Sequence, residues 1–570
     1  MYRIRPKLKI SNSIEIIESY ENILDTIFSN AKDNKGNKIA FEAYPSLDTS
    51  KLLEELENKV PDALILNTDD YYISADRIYS EIQDDLTDDE VFGRFSHKKF
   101  ADFLDPLKLK KLYEELKVTN ELIIVVGVGA TEIIDYDLLV YLDINRWEIQ
   151  KNYKKGLGNW RSYKETNFSE KLKRSYYFEW PAATEIKDTI LAKIDYYIDM
   201  NVIDTPKMVS GKDLLSSLKE IVSKPIRMVP FFEPGIWGGH WMQDKFGVGQ
   251  DEINLAWCFD GVPEENSIIL STDTNDFEMP AQNLVLLYPI ELMGEKVFGK
   301  YGKDFPIRFN LLDTVGGQNL SLQVHPTLDY AYRNFGAKYT QDESYYVLDT
   351  DGNAKVYLGV KDGVDKNTLV KEFERSQTTG KFDDEKYINV IPMKKHDHYL
   401  IPGGTIHSSG AGSIVLEVSS TPNRFTFKLW DWGRTDLNGK PRPISLHHGR
   451  HVLNTDINET FVANELYNQH QIVQEENGFR EERTGLHELE AIETRILTFS
   501  KVIQQTTKKS ANMLCLVEGE HIQVQSTSDS FKPFDIYYGE TFIIPENVKS
   551  YKIVPLDKEN EVKVIKAYIR

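Results

Sequence analysis

The chain has 570 residues, with 89 acidic and 68 basic side chains and a net charge of −21. This length exceeds what one hydrophobic core supports, so we expect several domains. Hydrophobic residues make up 41% of the chain, which excludes intrinsic disorder as its overall class. The acidic balance argues against nucleic-acid and anionic-membrane partners, because both require clustered Lys and Arg.

Cysteine content and hydropathy indicate the cellular setting. The two cysteines, Cys258 and Cys515, are too few for a disulfide scaffold or a Cys-rich zinc module. The N-terminus is basic but lacks the long apolar core of a signal peptide. The longest apolar stretch, residues 122–130, is far shorter than the roughly 20 residues of a membrane span. These features predict a soluble cytoplasmic protein.

The first part of the chain, residues 1–205, alternates short apolar runs with helical patterns. The patterns predict strands at 38–42, 63–67, 122–127 and 137–143, and helices at 49–56, 107–117 and 182–199. Alternation of strands and helices is typical of an α/β domain with a largely parallel sheet. We therefore predict one such domain for residues 1–205.

From about residue 224 the pattern changes to short β-rich runs separated by Gly and Pro. One of these runs, residues 284–288, is predicted as a strand like its neighbours. Many short strands with turn signals favour a β-sandwich or barrel. A polar stretch after residue 451 divides this region, so we predict two further domains, residues 206–450 and 451–570.

Three segments of the middle domain carry residues suited to a metal site. Gln323 and His325 are two positions apart in a predicted strand, so their side chains face the same side. Glu343 stands at the start of another strand, and a Pro-Gly-Gly turn precedes His407. One amide oxygen, one carboxylate and two imidazoles suit zinc or a similar divalent ion.

The order of these motifs resembles the class I mannose-6-phosphate isomerase family over residues 224–570. The matching segments are Gly-Ile-Trp-Gly-Gly, Gln-Val-His-Pro, Pro-Gly-Gly-Thr-Ile-His and Leu-Trp-Asp-Trp-Gly-Arg. The family comprises zinc-dependent enzymes of the cupin fold, so the resemblance implies two all-β jelly rolls, the first of which binds metal. It implies one zinc ion held by Gln323, His325, Glu343 and His407, and interconversion of mannose 6-phosphate and fructose 6-phosphate.

The chain departs from the family at basic positions. Asn310 and Gln341 stand where the family usually has Lys, and Lys428 stands where it usually has Arg. The resemblance then implies catalytic roles for Lys428 and Arg434, and the alternative for each is a solvated or structurally paired charge. Arg308, two residues before Asn310, presents its charge on the same face of a strand and joins them as a candidate.

The implied partner is a small sugar phosphate, and the resemblance places Trp237 and Gln341 in contact with it. For Trp237 the equal alternative is a side chain of the core. The alternative is a non-catalytic, regulatory protein that binds a sugar or sugar phosphate and keeps the metal as a structural or ligand-holding centre. The missing Lys and Arg residues motivate this alternative. The sequence makes no prediction of the oligomeric state.

The N-terminal domain is similar in its strand order to uridine-kinase-like P-loop proteins, through residues 66–72, 125–130 and 140–144. The phosphate-binding pattern G-x-x-x-x-G-K-[ST] is absent from residues 1–205. The corresponding loop, residues 42–51, lacks the glycines that wrap phosphates in backbone N–H groups. We interpret it as a degenerate kinase-like module with a structural or sensing role, with a bifunctional kinase–isomerase as the alternative.

Overall fold

A computed structural model describes residues 2–11, 14–33, 36–119, 121–420, 425–435, 439, 442–485, 490–556 and 561–570. The chain divides into two compact units. The N-terminal unit comprises Lys7–Ile221 and Ser267–Leu287, and the sandwich unit comprises Met1–Pro6, Val222–Asn266 and Tyr288–Arg570. Each unit is therefore built from separate stretches of chain. Among the described residues, the helices are too short or too polar to cross a membrane.

The elements up to residue 221 belong to the N-terminal unit. Its strands are β1 (Lys7–Lys9), β2 (Ile17–Glu18), β3 (Lys38–Ala43), β4 (Leu64–Asn67), β5 (Ile123–Gly127), β6 (Leu138–Asp143), β7 (Tyr196–Asp199) and β8 (Lys207–Ser210). Its helices are α1 (Tyr20–Asp33), α2 (Ser50–Lys59), α3 (Ala75–Leu86), α4 (Pro106–Leu116), α5 (Ala130–Ile133), α6 (Arg146–Lys154), α7 (Phe168–Arg174), α8 (Trp180–Ile190) and α9 (Gly211–Ile221).

The elements between residues 222 and 452 alternate between the two units. The strands are β9 (Phe231–Glu233), β10 (Trp257–Gly261), β11 (Ser267–Ser271), β12 (Asp276–Pro280), β13 (Ile307–Asp313), β14 (Leu322–Val324), β15 (Glu343–Thr350), β16 (Lys355–Val360), β17 (Ile388–Pro392), β18 (His398–Ile401), β19 (His407–Ser409), β20 (Ser413–Ser420) and β21 (Phe427–Trp430). The helices are α10 (Trp241–Phe246), α11 (Gln282–Leu287), α12 (Pro289–Met293), α13 (Glu295–Tyr301), α14 (Leu328–Phe335), α15 (Lys366–Thr379), α16 (Asp384–Tyr387) and α17 (Leu446–Val452). Of these elements, β11, β12 and α11 belong to the N-terminal unit.

The last part of the chain is mostly β-structure. After the short helix α18 (Glu459–Phe461) come β22 (Gln471–Glu476), β23 (Phe479–Gly485), β24 (Ile492–Phe499), β25 (Ile503–Thr506), β26 (Asn512–Glu518), β27 (His521–Ser526), β28 (Phe534–Tyr537), β29 (Thr541–Ile544), β30 (Ser550–Pro555) and β31 (Val562–Ile569). The prediction of a multi-domain chain rich in β-sheet is confirmed.

The main sheet of the N-terminal unit has the strand order β2-β8-β7-β6-β3-β5-β4. Strands β3 to β7 pair in parallel with one another, whereas β8 runs antiparallel to β7 and to β2. Residues 123–127 of β5 are buried throughout, as expected for a parallel strand that is covered on both faces. Strands β3, β4, β5 and β6 lie where the sequence predicts strands.

Two of the predicted elements are wrong. The helix predicted over 182–199 ends at Ile190, and Tyr196–Asp199 instead form β7, paired in parallel with β6. The strand predicted over 284–288 is largely helix α11. A short apolar run fits a buried strand and a buried helix equally well, so its periodicity does not separate the two.

The sandwich unit contains two β-sandwiches. In the first sandwich, sheet I has the order β18-β15-β20-β13-β10-β9 and sheet II has the order β17-β16-β19-β14-β21. In the second sandwich, sheet III has the order β22-β23-β24-β31-β26-β29 and sheet IV has the order β25-β30-β27-β28. Each sandwich has its own apolar core, which includes Leu312, Val347 and Val415 in the first and Leu497, Leu514 and Val564 in the second.

Candidate metal and sugar-phosphate site

The inward-facing positions of sheet I change from apolar to polar along the strands. Leu312 of β13, Val347 of β15 and Val415 of β20 lie in the core of the first sandwich. Alternate residues of a strand share a face, so the inward positions can be followed further along each strand. The inward residues there are polar or aromatic. They are Arg308 and Asn310 of β13, Glu343 and Tyr345 of β15, and Glu417 and Ser419 of β20. Sheet I therefore carries a polar region inside the first sandwich.

Cross-strand pairing brings these residues side by side. Ser419 lies opposite both Arg308 and Glu343, and Glu417 lies opposite both Asn310 and Tyr345. In sheet II, Gln323 lies opposite His407 on one side and opposite Lys428 on the other. Register alone therefore groups these side chains, although they come from segments about 120 residues apart in the sequence.

His325, Glu343 and His407 form a compact buried cluster. The Nε2 atom of His325 lies 3.1 Å from Glu343 Oε2, and the Nε2 atom of His407 lies 3.0 Å from Glu343 Oε1. The three side chains are at most 2% exposed. Their ligand atoms lie within 4.8 Å of one another, close enough for all three to bind one metal ion.

Backbone carbonyl groups fix the tautomer of both imidazoles. His325 Nδ1 lies 2.9 Å from the carbonyl oxygen of Phe425, and His407 Nδ1 lies 2.9 Å from that of Thr405. A carbonyl oxygen only accepts hydrogen bonds, so each Nδ1 carries a proton and donates it. In the neutral ring each Nε2 then directs a lone pair at Glu343, which is the arrangement of metal-binding histidines.

Without a cation this arrangement sets acceptor atoms against one another. The buried Nε2 atoms of His325 and His407 face only oxygen atoms of Glu343, so each pair needs a proton or a shared cation between its two atoms. Burial raises the pKa of Glu343, but the two histidines outweigh that effect and lower it overall. Burial lowers the pKa of His325, yet Glu343 shifts it upward overall. The lowered pKa of Glu343 and the raised pKa of His325 both favour positive charge at the centre of the cluster. The donor set of two imidazoles and one carboxylate fits a divalent metal ion.

Two glutamine side chains border the cluster. Gln323 places its amide 3.2 Å from His407 Nε2, while Ser321 Oγ donates to the other end of that amide at 3.0 Å. The amide oxygen and nitrogen exchange places by rotation, so either can face the cluster. Gln341 Nε2 donates to Glu343 Oε2 at 3.1 Å, and its buried Oε1 has no partner among the described residues. Gln341 thus touches a predicted metal ligand directly.

Arg308 provides a buried positive charge beside the cluster. Its side chain is 2% exposed, and its Nε and Nη1 atoms have no hydrogen-bond partner among the described residues. Buried guanidinium groups are normally paired, because an uncompensated charge costs several kcal/mol. Two unpaired donors in a polar interior are therefore available to an anionic ligand.

Glu417 is a second carboxyl group in the same interior, and the sequence motifs do not identify it. Its Oε1 accepts hydrogen bonds from Asn310 Nδ2 at 3.2 Å and from Ser419 Oγ at 2.8 Å. Burial, and then the charge of Glu343, raise its pKa to about 7. The available sequence signal is a single acidic residue in the apolar strand run 414–418, at a position that alternation turns inward.

Lys428 lies on β21 next to Gln323 and is half-buried. Register puts its side chain on the same face of sheet II as Gln323. The structure thus brings Lys428 and Arg308 to the two sheets that enclose the cluster.

Arg434 makes its contacts at a turn. Its Nη2 pairs with Asp431 Oδ1 at 2.5 Å, its Nη1 donates to the Asn319 carbonyl oxygen at 2.6 Å, and its Nε donates to the Asp431 carbonyl oxygen at 3.3 Å. These bonds join the end of β21 to the loop before β14. The predicted catalytic role of Arg434 stays a prediction.

Trp237 lies in the core of the first sandwich. It is 2% exposed and stacks edge-on against Trp257, with ring centroids 4.5 Å apart. Its motif forms a tight turn, in which a Cβ atom on Gly239 would lie 2.3 Å from Asp313 Oδ1. Only glycine fits there, so packing accounts for the motif, and substrate contact by Trp237 stays a prediction.

The chain has curated relatives of one functional class. The chain is 26% identical over 235 residues to a mannose-6-phosphate isomerase of Bacillus subtilis, covering 41% of this chain and 69% of that protein. It is 24% identical over 237 residues to the mannose-6-phosphate isomerase of Streptococcus mutans, covering 41% of this chain and 68% of that protein. A further Bacillus subtilis relative is 28% identical over 226 residues, covering 39% of this chain and 66% of that protein.

These matches establish homology to mannose-6-phosphate isomerases over about two fifths of the chain. The chain spans about two thirds of the length of the curated relatives it matches. The crystal structure of the mannose 6-phosphate isomerase from Bacillus subtilis superimposes with a TM-score of 0.49 at 21% identity, covering 60% of this chain and 99% of that one. Residues 19–223 match a family described as "Domain of unknown function (DUF8485)".

Proposed function

We propose that the sandwich unit is a metal-dependent sugar-phosphate isomerase that interconverts mannose 6-phosphate and fructose 6-phosphate. The observation that carries the proposal is the buried cluster of His325, Glu343 and His407, with both Nε2 atoms directed at one carboxylate. Homology to mannose-6-phosphate isomerases supports the choice of reaction. We further propose that both sandwiches are jelly rolls of the cupin type.

The proposed ligands are His325, Glu343, His407 and the amide oxygen of Gln323. Zinc suits this set of two imidazoles, one carboxylate and one amide oxygen, although other divalent ions accept the same donors. A bound divalent ion would supply Lewis-acid polarisation of the sugar oxygens. The carbonyl groups of Phe425 and Thr405 would keep the two imidazoles oriented.

Isomerisation moves a proton between adjacent carbon atoms, which requires a group that both accepts and donates protons. Glu417 fits this role because its carboxyl group faces the same interior as the cluster and burial raises its pKa above the ordinary value. Asn310 and Ser419 hold one of its oxygens and so orient the carboxyl group. We propose Glu417 as the proton-transfer residue.

Negative charge on the substrate would be stabilised by the cations that face the same interior. Arg308 brings two buried donors that lack a partner among the described residues, and the half-buried Lys428 brings a second positive charge. Such preorganised donors stabilise developing oxyanions or hold a phosphate group. We assign the main role to Arg308 because its charge is desolvated.

The test is turnover of mannose 6-phosphate by the full chain. The metal-loaded protein is expected to form fructose 6-phosphate, and chelation is expected to stop the reaction until metal is restored. A protein that holds one metal ion per chain yet forms no fructose 6-phosphate would contradict the proposal.

One observation favours a second candidate, a sugar-phosphate-binding protein without turnover. The two amides that stand in place of family lysines, Asn310 and Gln341, are already bonded to Glu417 and Glu343. They hold carboxylates but supply no charge to a reaction intermediate. This candidate predicts a thermal shift with mannose 6-phosphate in the absence of any product.

For the N-terminal unit we propose a degenerate kinase-like α/β module that transfers no phosphate. The carboxylate of Glu42 accepts hydrogen bonds from the backbone N–H groups of Gly129 at 2.7 Å and Thr131 at 2.9 Å. An internal carboxylate thus occupies amide groups at the carboxyl end of the parallel strands, where ligands of such sheets usually bind. The proposal predicts that ATP causes no thermal shift in the full chain.

A further inference from the structure

Backbone groups near the metal cluster meet at the Pro-Gly-Gly turn that precedes His407. The N–H of Gly404 donates to the carbonyl oxygen of His325 at 2.9 Å. A Cβ atom on Gly403 would lie 2.5 Å from the carbonyl oxygen of Pro326, so the turn approaches the segment of His325 more closely than a larger residue allows. The position of this turn therefore affects where the imidazole ligands stand.

The side chain of Asp342 joins the turn to the segment of the carboxylate ligand, Glu343. Asp342 immediately precedes Glu343, and its Oδ1 atom accepts the backbone N–H of Gly403 at 2.9 Å. The backbone of Asp342 is itself fixed to β20, because its N–H donates to Ser420 Oγ at 3.0 Å and its carbonyl oxygen accepts the Ser420 N–H at 2.9 Å. One half-buried carboxylate thus links the strand that carries Glu343 to the turn that carries His407.

The turn transmits this restraint to the ring of His407. The N–H of Thr405 donates to the carbonyl oxygen of Pro402 at 3.1 Å, which closes the turn. The carbonyl oxygen of Thr405 then lies 2.9 Å from His407 Nδ1 and orients the imidazole. A displacement of Gly403 would move that carbonyl group and turn His407 Nε2 away from Glu343.

We propose that Asp342 is a positioning residue, which holds His407 and Glu343 at the separation that one divalent ion requires. Alternation turns its side chain to the opposite face of the strand from Glu343, so it supports the ligands without joining them. The role assigned to Asp342 rests on the proposed metal-dependent function, but it concerns metal binding rather than the reaction. Only its acceptor oxygen is needed, and Asn offers the same oxygen.

The experiment measures the dissociation constant of zinc from the full chain, in competition with a coloured chelator and without substrate. Asp342→Ala removes the acceptor and is expected to raise that constant by about 10–100-fold, as losses of supporting contacts to metal ligands do. Asp342→Asn keeps the acceptor and is expected to bind zinc as the wild type does. The matched control, Asp351→Ala, removes the acceptor of the Asn353 N–H at 2.8 Å beyond the other end of β15 and is expected to leave zinc binding unchanged.

Cobalt(II) in place of zinc supplies a second readout, because its visible absorption reports the geometry of its ligands. The spectrum of Asp342→Ala is expected to differ from that of the wild type, whereas the spectra of Asp342→Asn and Asp351→Ala should match it. Thermal unfolding of the metal-free proteins checks that all of them are folded, since a purely structural role would lower stability without changing the spectrum.

Equal zinc affinity in Asp342→Ala and the wild type would overturn the inference, and so would an equal loss of affinity in Asp342→Asn and Asp342→Ala. A wild-type protein that binds no zinc would overturn both the inference and the proposed function. Zinc binding that weakens only in Asp342→Ala, in a protein that forms no fructose 6-phosphate, would remove the proposed reaction and support the role of Asp342.

Discussion

The two sandwiches share one design but differ in how their interiors are completed. In both, the inward positions of a large sheet are apolar at one end and polar at the other. In the second sandwich, Val562 and Val564 of β31 lie in the core, and alternation turns Lys566 and Tyr568 to the same face. Both polar ends contain buried cations and carboxylates, but the hydrogen bonding of these groups differs.

The polar end of the second sandwich is a closed network. Lys566 donates to Gln505 Oε1 at 2.9 Å and to the Thr506 carbonyl oxygen at 3.0 Å. Arg495 pairs with Glu481 and with Glu493, and Tyr568 donates to Glu493 at 2.6 Å. The polar end of the first sandwich instead leaves atoms of Gln341, Asn310 and Arg308 without partners among the described residues. Its two imidazoles face one shared carboxylate, that of Glu343.

Hydrogen bonding within a buried polar group separates a binding site from a structural network. A buried network whose members bond one another stabilises the fold and leaves nothing for a ligand. A buried group of acceptors and cations that lack partners is costly in isolation, and a bound metal and an anionic substrate would remove that cost. We therefore place the chemistry in the first sandwich only.

The largest expected effect comes from Glu343→Gln in the first sandwich. The change removes the carboxylate that both imidazoles face, so metal should be lost. Loss of a residue that only supports a metal ligand costs up to about 100-fold, so loss of the ligand itself should lower turnover by more than that. Metal analysis and turnover of mannose 6-phosphate check this expectation. The matched control, Glu493→Gln in the second sandwich, should keep the metal; equal metal loss in both variants would contradict the comparison.

The second contrast replaces one buried arginine in each sandwich by methionine. Arg495→Met leaves Glu481 and Glu493 without their cation and should lower the free energy of unfolding by about 3–5 kcal/mol. Arg308→Met removes a guanidinium group whose Nε and Nη1 lack partners among the described residues, so it should not lower that free energy, while turnover falls by about 100-fold. Urea unfolding and steady-state kinetics give both values. A large stability loss in Arg308→Met would show that its charge is structurally paired.

The third prediction concerns pH. Burial lowers the pKa of Lys566 from its ordinary value to about 7 in the folded protein. Between pH 7 and about 10 the unfolded chain then holds more protons at this residue, so stability rises with pH. Relative to Lys566→Met, the wild-type protein should gain about 1.4 kcal/mol per pH unit in this range. Urea unfolding of both proteins at pH 7 and pH 9 measures the gain, and parallel values would refute it.

The smallest effect on turnover is expected for Arg434→Gln. Asp431 keeps its ion pair with Arg442 at 2.7 Å but loses the one with Arg434. We expect the free energy of unfolding to fall by about 1–3 kcal/mol, because the buried carboxylate loses one partner. Kinetic and unfolding measurements on the same sample separate a structural role of Arg434 from a catalytic one. A fall in kcat without a loss of stability would support the catalytic role instead.

Much of the candidate site could be predicted from sequence because its parts lie in short, recognisable segments. Gln323 and His325 share one strand, Glu343 begins another, and the turn before His407 contains two glycines. Glu417 was missed, since nothing local marks one inward acidic residue in a strand. Its importance arises only when register sets it beside Asn310 and Tyr345.

Some elements of the fold can likewise be predicted from local sequence, whereas others depend on contacts with distant parts of the chain. Strands β3 to β6 follow from continuous apolar runs, which need only the local sequence. Strand β7 was mistaken for the end of a helix because its neighbour β6 lies more than 50 residues away. The return of residues 267–287 to the N-terminal unit likewise depends on contacts that no local pattern encodes.

The most direct test of the central claim is a metal titration followed by activity. Zinc is added stepwise to the chelated full chain, and formation of fructose 6-phosphate from mannose 6-phosphate is recorded at each step. We expect activity to rise linearly and to stop rising at one equivalent per chain, with no rise in Glu343→Gln. Activity that is independent of added metal, or an equal rise in Glu343→Gln, would contradict it.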